Sequence, residues 1–271
     1  MEASKLHFKH KKINVHIFLY SLILLSFTQN TSYGTPQFPD YLIYQEDTFA
    51  IHCHPLESYF EGKERPEFEF LSTACWRGYI AFWEIIDDKL YLIKLENEIG
   101  GELDLSSVFT DWSYNDIILA DWVNFSILAP YGKQLFYDYS SYSTVCEYEK
   151  EFFFKEGVLL EVKDYDNSKS KRSKYTTQLN LLYQFFDENI DYNNINLAVF
   201  DSVSKIKVYV RVTDVSEEGK VKEVEILHGT DSLINLEAIR VLKSIPEWDV
   251  IYRRGKATPP NYVYPIFFKK Q

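Results

Sequence analysis

His52-Cys53-His54 brings two imidazoles and a thiol together in consecutive positions. On a strand, alternate residues share a face, so His52 and His54 would point one way and Cys53 the other. A structural zinc site takes four ligands, so Cys53 would have to turn back and a further ligand come from elsewhere. No Cys-x-x-Cys or His-x-x-x-His stands ready to supply it. His52 and His54 are therefore weak metal candidates, and no metal or other cofactor is expected. Cys75, between Ala74 and Trp76, is the candidate thiol nucleophile. Such a thiol needs a base and oxyanion donors beside it, and His52, His54 or His228 would serve only by accident of folding. The other fates open to Cys53, Cys75 and Cys146 are buried thiols or one disulfide (Cys53–Cys75 or another pair), with one cysteine left over.

The remaining polar groups point away from catalysis. Asp87-Asp88 and Glu217-Glu218 sit where turns are expected, whereas a general acid/base pair needs carboxylates facing across a cleft. Arg77, beside Trp76 and Tyr79, is able to bind an anion or stack, and a surface hairpin contact is its default role. No phosphate-cradling glycine loop is present. Asn30-Thr31-Ser32 and Asn124-Phe125-Ser126 fit the glycosylation pattern, which matters only in a eukaryotic secretory pathway. No catalytic residue is assigned.

Composition sets the frame for these groups. The chain has 271 residues, of which 46% are hydrophobic, so sizeable cores are within reach. Tyr 21 and Phe 20 against Gly 10 favour sheet, because flat rings suit a half-buried pleated face. A net charge of -11 argues against a nucleic-acid partner, which calls for a basic footprint.

The N-terminus has the order of a secretory signal. Lys5, Lys9, Lys11 and Lys12 precede an apolar run from Ile13 to Phe27, and residues 28–34 are polar and end in small side chains. That run is shorter than the ~20 residues a membrane-spanning helix needs. A cleaved signal over 1–34 is the expectation, with cleavage near Gly34; retention as an anchor is the alternative. Removing 1–34 takes away four lysines and Glu2, making the product more acidic.

Residues 35–163 are expected to form a mainly antiparallel β domain. Candidate strands are 47–54, 76–84, 90–95, 124–129, 145–154 and 158–162, with turns at Asp87-Asp88, Gly132 and Glu156-Gly157; 111–122 reads as short helix or loop. Residues 164–177, with Lys169, Lys171, Arg172 and Lys174 among serines, read as a solvated charged linker.

From 178 the period changes. Leu179, Leu182, Phe185 and Phe186 recur at helical spacing; Ile206, Val208, Val210 and Val212 alternate; 221–227 is a partner strand. Leu233, Leu236, Ile239 and Leu242 share the side of a second helix, capped by Asp231, Ser232 or Asn235 and ended before Pro246. Residues 262–269 form the last strand. This α-β-β-α-β order gives a two-layer α/β sandwich with a three-stranded antiparallel sheet and two helices, so the fold class of the whole is α+β.

The run KIKVYVRVT, then EGKVKEVEILHG, LEAIRVLKSIPEW, RGK and YPIFFK resembles a TonB C-terminal domain of the Bacteroidetes type, over residues 178–271. Gly219, Gly229, Glu237-Ala238, Ile245-Pro246, Trp248, Gly255-Lys256, Pro265-Ile266 and Phe268 fall in register with it. The family's Trp-x-Pro-Gly is here Trp248-Asp249-Val250-Ile251, a departure from its pattern at the local turn. The resemblance implies engagement of an outer-membrane protein by strand addition, and it places a partner-binding edge at Asn261, Tyr262, Val263, Tyr264, Ile266 and Phe268. Pro265 would blunt that edge by removing a donor. Residues 72–79 with Trp83-Glu84-Ile85 are also similar to a group of uncharacterised secreted bacterial proteins, a likeness that carries no activity.

The expected function is a non-catalytic, exported periplasmic protein-protein interaction module with a protein partner in the cell envelope. It would meet the membrane only if residues 13–27 are retained. The alternatives are a membrane-anchored TonB-type energy transducer, which would need a long extended spacer that the 9 scattered prolines do not provide, a secreted hydrolase, or an acidic immunity-type inhibitor.

Overall fold

The computed structural model describes residues 37–109, 117–137, 144–201 and 203–270. The expected signal segment 1–34 lies outside the described residues, as do residues 111–116 of the segment 111–122. Among the described residues no helix is long and apolar enough to cross a membrane.

The chain is mixed α+β and mostly sheet. In the first part run β1 (Asp40–Tyr44), β2 (Asp47–Ile51), the short helix α1 (Pro55–Tyr59), β3 (Ile80–Ile86), β4 (Lys89–Glu96), β5 (Ile118–Leu119), β6 (Ser126–Phe136), β7 (Val145–Lys155) and β8 (Val158–Asp166). They form an eight-stranded open sheet in the order β2-β1-β3-β4-β8-β7-β6, with β5 on β4. Pairing is antiparallel except between β1 and β3, which run parallel. The sheet curls until its edge strands β2 and β6 meet through side chains, with Phe49 edge-on to Tyr131 at 5.8 Å. Leu42, Ile51, Trp83, Leu92, Ile127 and Phe152 fill the space so enclosed.

Tight turns explain how so many short strands fit. Gln45-Glu46, Asp87-Asp88 and Glu156-Gly157 all have positive φ at both positions. That conformation matches the right-handed twist of the flanking strands. Gly157 is required for a second reason: a Cβ there would stand 2.6 Å from the Ala120 carbonyl oxygen. Gly132 is no turn. It lies inside β6, where the pairing with β7 slips between Tyr131 and Gln134.

In the second part come α2 (Lys174–Thr177), α3 (Leu179–Asn189), β9 (Lys205–Val215), β10 (Val221–His228), α4 (Ser232–Lys243), β11 (Ile251–Arg253), β12 (Lys256–Thr258) and β13 (Val263–Lys269). β10-β9-β13 form a three-stranded antiparallel sheet, and β11-β12 a separate hairpin. Asp231 caps α4 by accepting from the Leu233 and Ile234 amides at 2.8 and 3.3 Å. The buried face of α4 is Ile234, Ala238, Val241 and Leu242, which pack against Val208, Val210 and Val212. Leu233 and Leu236, expected on that face, are exposed. The buried Glu237, which accepts the Asp191 amide at 2.7 Å, holds the helix rotated from the leucine stripe.

Residues 164–177 do not form a solvated linker. β8 continues to Asp166, and Asn167, Ser170, Ser173 and Tyr175 are buried. Lys171 bridges to Val250, and the Ser173 amide donates to Asp249 Oδ1 at 2.7 Å. The lysines are exposed while the serines between them serve the C-terminal segment, so a stretch without an apolar run is nonetheless anchored.

Candidate functional site

β2 stops at Ile51, so strand alternation does not reach His52 or His54. His54 is the N-cap position of α1, and its Nε2 faces Arg77 Nη1 at 3.0 Å. A guanidinium has no lone pair to offer, so Nε2 is the acceptor. His52 instead lines a separate recess of about 200 Å³ with Cys53, Ser126, Thr144 and Glu149. Burial, then the charges of His54 and Arg77, hold the His52 imidazole below its ordinary pKa. Among the described residues no cluster of three or more His, Cys, Asp or Glu has metal-holding geometry.

Arg77 is not a surface hairpin residue. It is fully buried, and Trp76, expected to open a strand, follows a one-turn helix at Thr73–Cys75. The guanidinium donates to the Phe38 carbonyl at 3.1 Å and to Asp40 Oδ1 at 3.3 Å. Asp40, also fully buried, accepts as well from the Ala81 amide at 3.3 Å and from Trp83 Nε1 at 3.4 Å. Arg65 caps this network by donating to the Arg77 carbonyl at 2.8 Å and to Glu57, which in turn accepts from the Tyr79 hydroxyl at 2.6 Å. The network ties β1, α1 and β3 together, with Arg65 Nε and Arg77 Nε buried and outside its hydrogen bonds.

All three cysteines are free thiols. Burial, then the Asp40 carboxylate, pushes Cys53 up to about 12. Burial also raises Cys75 and Cys146. Cys75 Sγ lies 3.3 Å from the Tyr79 carbonyl oxygen, a hydrogen-bond partner. These thiols stay protonated at neutral pH, the opposite of what an activated nucleophile needs.

The expected edge residues divide into two groups. Tyr264, Ile266 and Phe268 are buried in the sandwich core, so their side chains are unavailable to a partner. The backbone tells more. The Lys270 amide donates to the Ser204 carbonyl on the β9 side, while the Lys269 amide donates the other way, to the Tyr192 hydroxyl at 3.1 Å. Alternation then turns the N–H and C=O of Phe267 and Val263 outward, with the Pro265 carbonyl between them. Pro265 therefore costs the sheet no internal bond. From Phe267 onward the edge is covered: Tyr183 of α3 reaches round to the Phe267 ring at 6.0 Å, and Asp187 pairs with Lys269 at 2.6 Å. Val263–Pro265 is the uncovered part.

Asn261 and Tyr262 lie just upstream and line a recess of about 380 Å³, together with Phe136, Tyr137, Arg253 and Pro259. Sequence reading missed this recess, because β6, β7 and the β11-β12 hairpin contribute to it from distant positions. Gly255 in the Arg254-Gly255 turn is the one local signal that a hairpin stands there. Hydrogen bonds hold that hairpin against β7 and β8: the Arg254 amide donates to Glu149 Oε2 at 2.6 Å, and the Gly255 amide to Asn167 Oδ1 at 2.9 Å. Arg254 also pairs with Glu151 at 3.2 Å.

Comparison with family models, curated proteins and solved structures finds no match to this chain.

Proposed function

We propose that this chain is an exported, non-catalytic protein-binding module of the cell envelope. Its C-terminal layer, of the TonB C-terminal kind, takes up an extended segment of a partner by strand addition. The observation that carries the reading is the meeting of an uncovered strand edge, Val263–Pro265, with the aromatic-lined recess at Asn261 and Tyr262. Main-chain bonding to an edge gives affinity, and a neighbouring recess gives selectivity. The order β9-β10-α4-β13, with β9 central, also supports it.

Magnitudes explain why both parts are needed. The free edge offers the Val263 N–H and C=O and the Pro265 C=O. At ~1 kcal/mol net per bond these contribute ~3 kcal/mol, less than the ~4 kcal/mol or more that association costs. An apolar side chain buried in the recess adds ~1.5–3 kcal/mol and tips the balance.

The test is to select peptides from a random display library on the purified protein and to map them by amide chemical shifts. Shifts should centre on Tyr262, Val263 and Tyr264. Val263→Pro should weaken binding by ~10-fold or more with the melting temperature nearly unchanged, since only an outward N–H is lost. Peptides that map elsewhere and ignore this substitution would defeat the reading. Export is checked separately: osmotic shock should release a product beginning near Thr35.

A further inference from the structure

The outward side chains of β9 are Lys205, Lys207, Tyr209 and Arg211, set by the register beside Lys269, Phe267, Pro265 and Val263 of β13. The face away from the helices is thus a cationic row next to a mostly uncharged one. The Lys205 ammonium leans over β13, and that of Lys207 sits between Tyr209 and Phe267. Lys205 Nζ lies 3.8 Å from the centre of the Phe267 ring. Lys207 Nζ lies 5.5 Å from the same ring and donates to the Tyr209 hydroxyl at 3.1 Å. Tyr209 stands directly opposite Pro265, so Lys207 is held at the uncovered part of the edge.

Arg211 and Lys269 are paired with Glu225 and Asp187, at 3.3 and 2.6 Å. Among the described residues, Lys205 and Lys207 have no carboxylate within ion-pair distance. What sets these two apart is their place, side by side in alternate positions on the open face next to β13. Their charge is stacked on aromatic rings, which favours a cation but does not neutralise it.

We propose that the segment added beside β13 is acidic, with Asp or Glu at the alternate positions that share the face of Phe267. This inference rests on the strand-addition reading above. Paired strands lie ~4.8 Å apart, so a carboxylate on the added strand comes within reach of ammonium groups already positioned over β13. A basic segment would meet repulsion on the same row. The chain's net charge of -11 makes this face a local exception that orients an acidic segment as it arrives.

The probes are a capped eight-residue peptide alternating valine and glutamate and its valine–glutamine counterpart, titrated into the full chain at low and high salt. The glutamate peptide should bind ~3–10-fold more tightly at low salt, with the advantage shrinking as salt rises. Lys205→Gln with Lys207→Gln, both at exposed positions, should erase that advantage, while Val263→Pro should weaken both peptides. Equal binding of the two peptides, still lost in Val263→Pro, overturns the acidic preference and leaves strand addition standing. A glutamate preference untouched by Val263→Pro overturns strand addition and, with it, this placement of the partner. Absence of binding by either peptide, or binding of anionic lipid vesicles alone, overturns the inference outright.

Discussion

Replacing Arg77 with methionine keeps an unbranched apolar stem and removes the charge and the donors. The guanidinium is fully buried and bonds Asp40, the Phe38 carbonyl and His54 at 3.3, 3.1 and 3.0 Å. Asp40 would keep the Ala81 amide and Trp83 Nε1, but its charge would lose the Arg77 guanidinium, its buried partner at 3.3 Å. Breaking a buried pair from one side costs ~3–5 kcal/mol. For a unit of this size each kcal/mol moves the melting temperature by ~2–4 °C, so Arg77→Met should melt ~6–20 °C lower. Trp83 touches Asp40, so its fluorescence reports directly on the network during denaturation. Adding Asp40→Asn removes the stranded charge, and the double variant should recover a substantial share of the loss, a coupling of ~1–3 kcal/mol. A single variant that melts within ~2 °C of the parent, or strictly additive losses in the pair, would refute the view that this ion pair organises β1, α1 and β3.

Two further predictions use the turns and the joint. Gly157→Ala meets both a φ of 71° and the Ala120 carbonyl at 2.6 Å, so it should destabilise by ~2–4 kcal/mol, read by thermal melting; a near-neutral result would show that the β7-β8 turn relaxes freely. Asp249 is buried, and burial raises its carboxyl pKa against the opposing bonds from Thr176 and Ser173. A raised carboxyl favours the folded state at low pH, and that contribution is lost as pH climbs through the folded pKa. Asp249→Asn keeps an oxygen for both donors, so its stability relative to the parent should rise from pH 4 to pH 7 in denaturation series; a constant difference would rule out this ionisation as a cause.

What the sequence made legible is what local periodicity encodes. β9 alternates strictly because one face is buried under helices and the other is open, and the Asp87-Asp88 and Glu156-Gly157 turns carry residues that tolerate positive φ. The rotation of α4 was not legible. Leucines and Ile234, Ala238 and Val241 form competing stripes, and the tertiary bond from the Asp191 amide to Glu237 chooses between them. Arg77 could not be read as buried either, because its partner Asp40 stands 37 positions upstream and the intervening residues give no sign of the meeting. The same holds for Ser173 and Asp249, 76 positions apart, which turned an apparent linker into an anchor.

The joint between the two apolar cores has its own logic. It is built from Glu149, Glu151, Asn167, Ser170, Ser173 and Asp249, polar side chains that are buried and matched to the segment 247–255. Apolar joints close by sliding until gaps vanish, because burial has no preferred direction. Hydrogen bonds instead fix distance and angle, so a hairpin held at Arg254 and Gly255 cannot collapse onto its neighbours without leaving donors unpaired. Beside it Phe136, Tyr137, Pro259 and Tyr262 keep a gap of about 380 Å³ between them rather than packing it shut. The polar joint is thus the reason an aromatic recess stays open next to a strand edge, and the recess is what an incoming segment needs in order to stay.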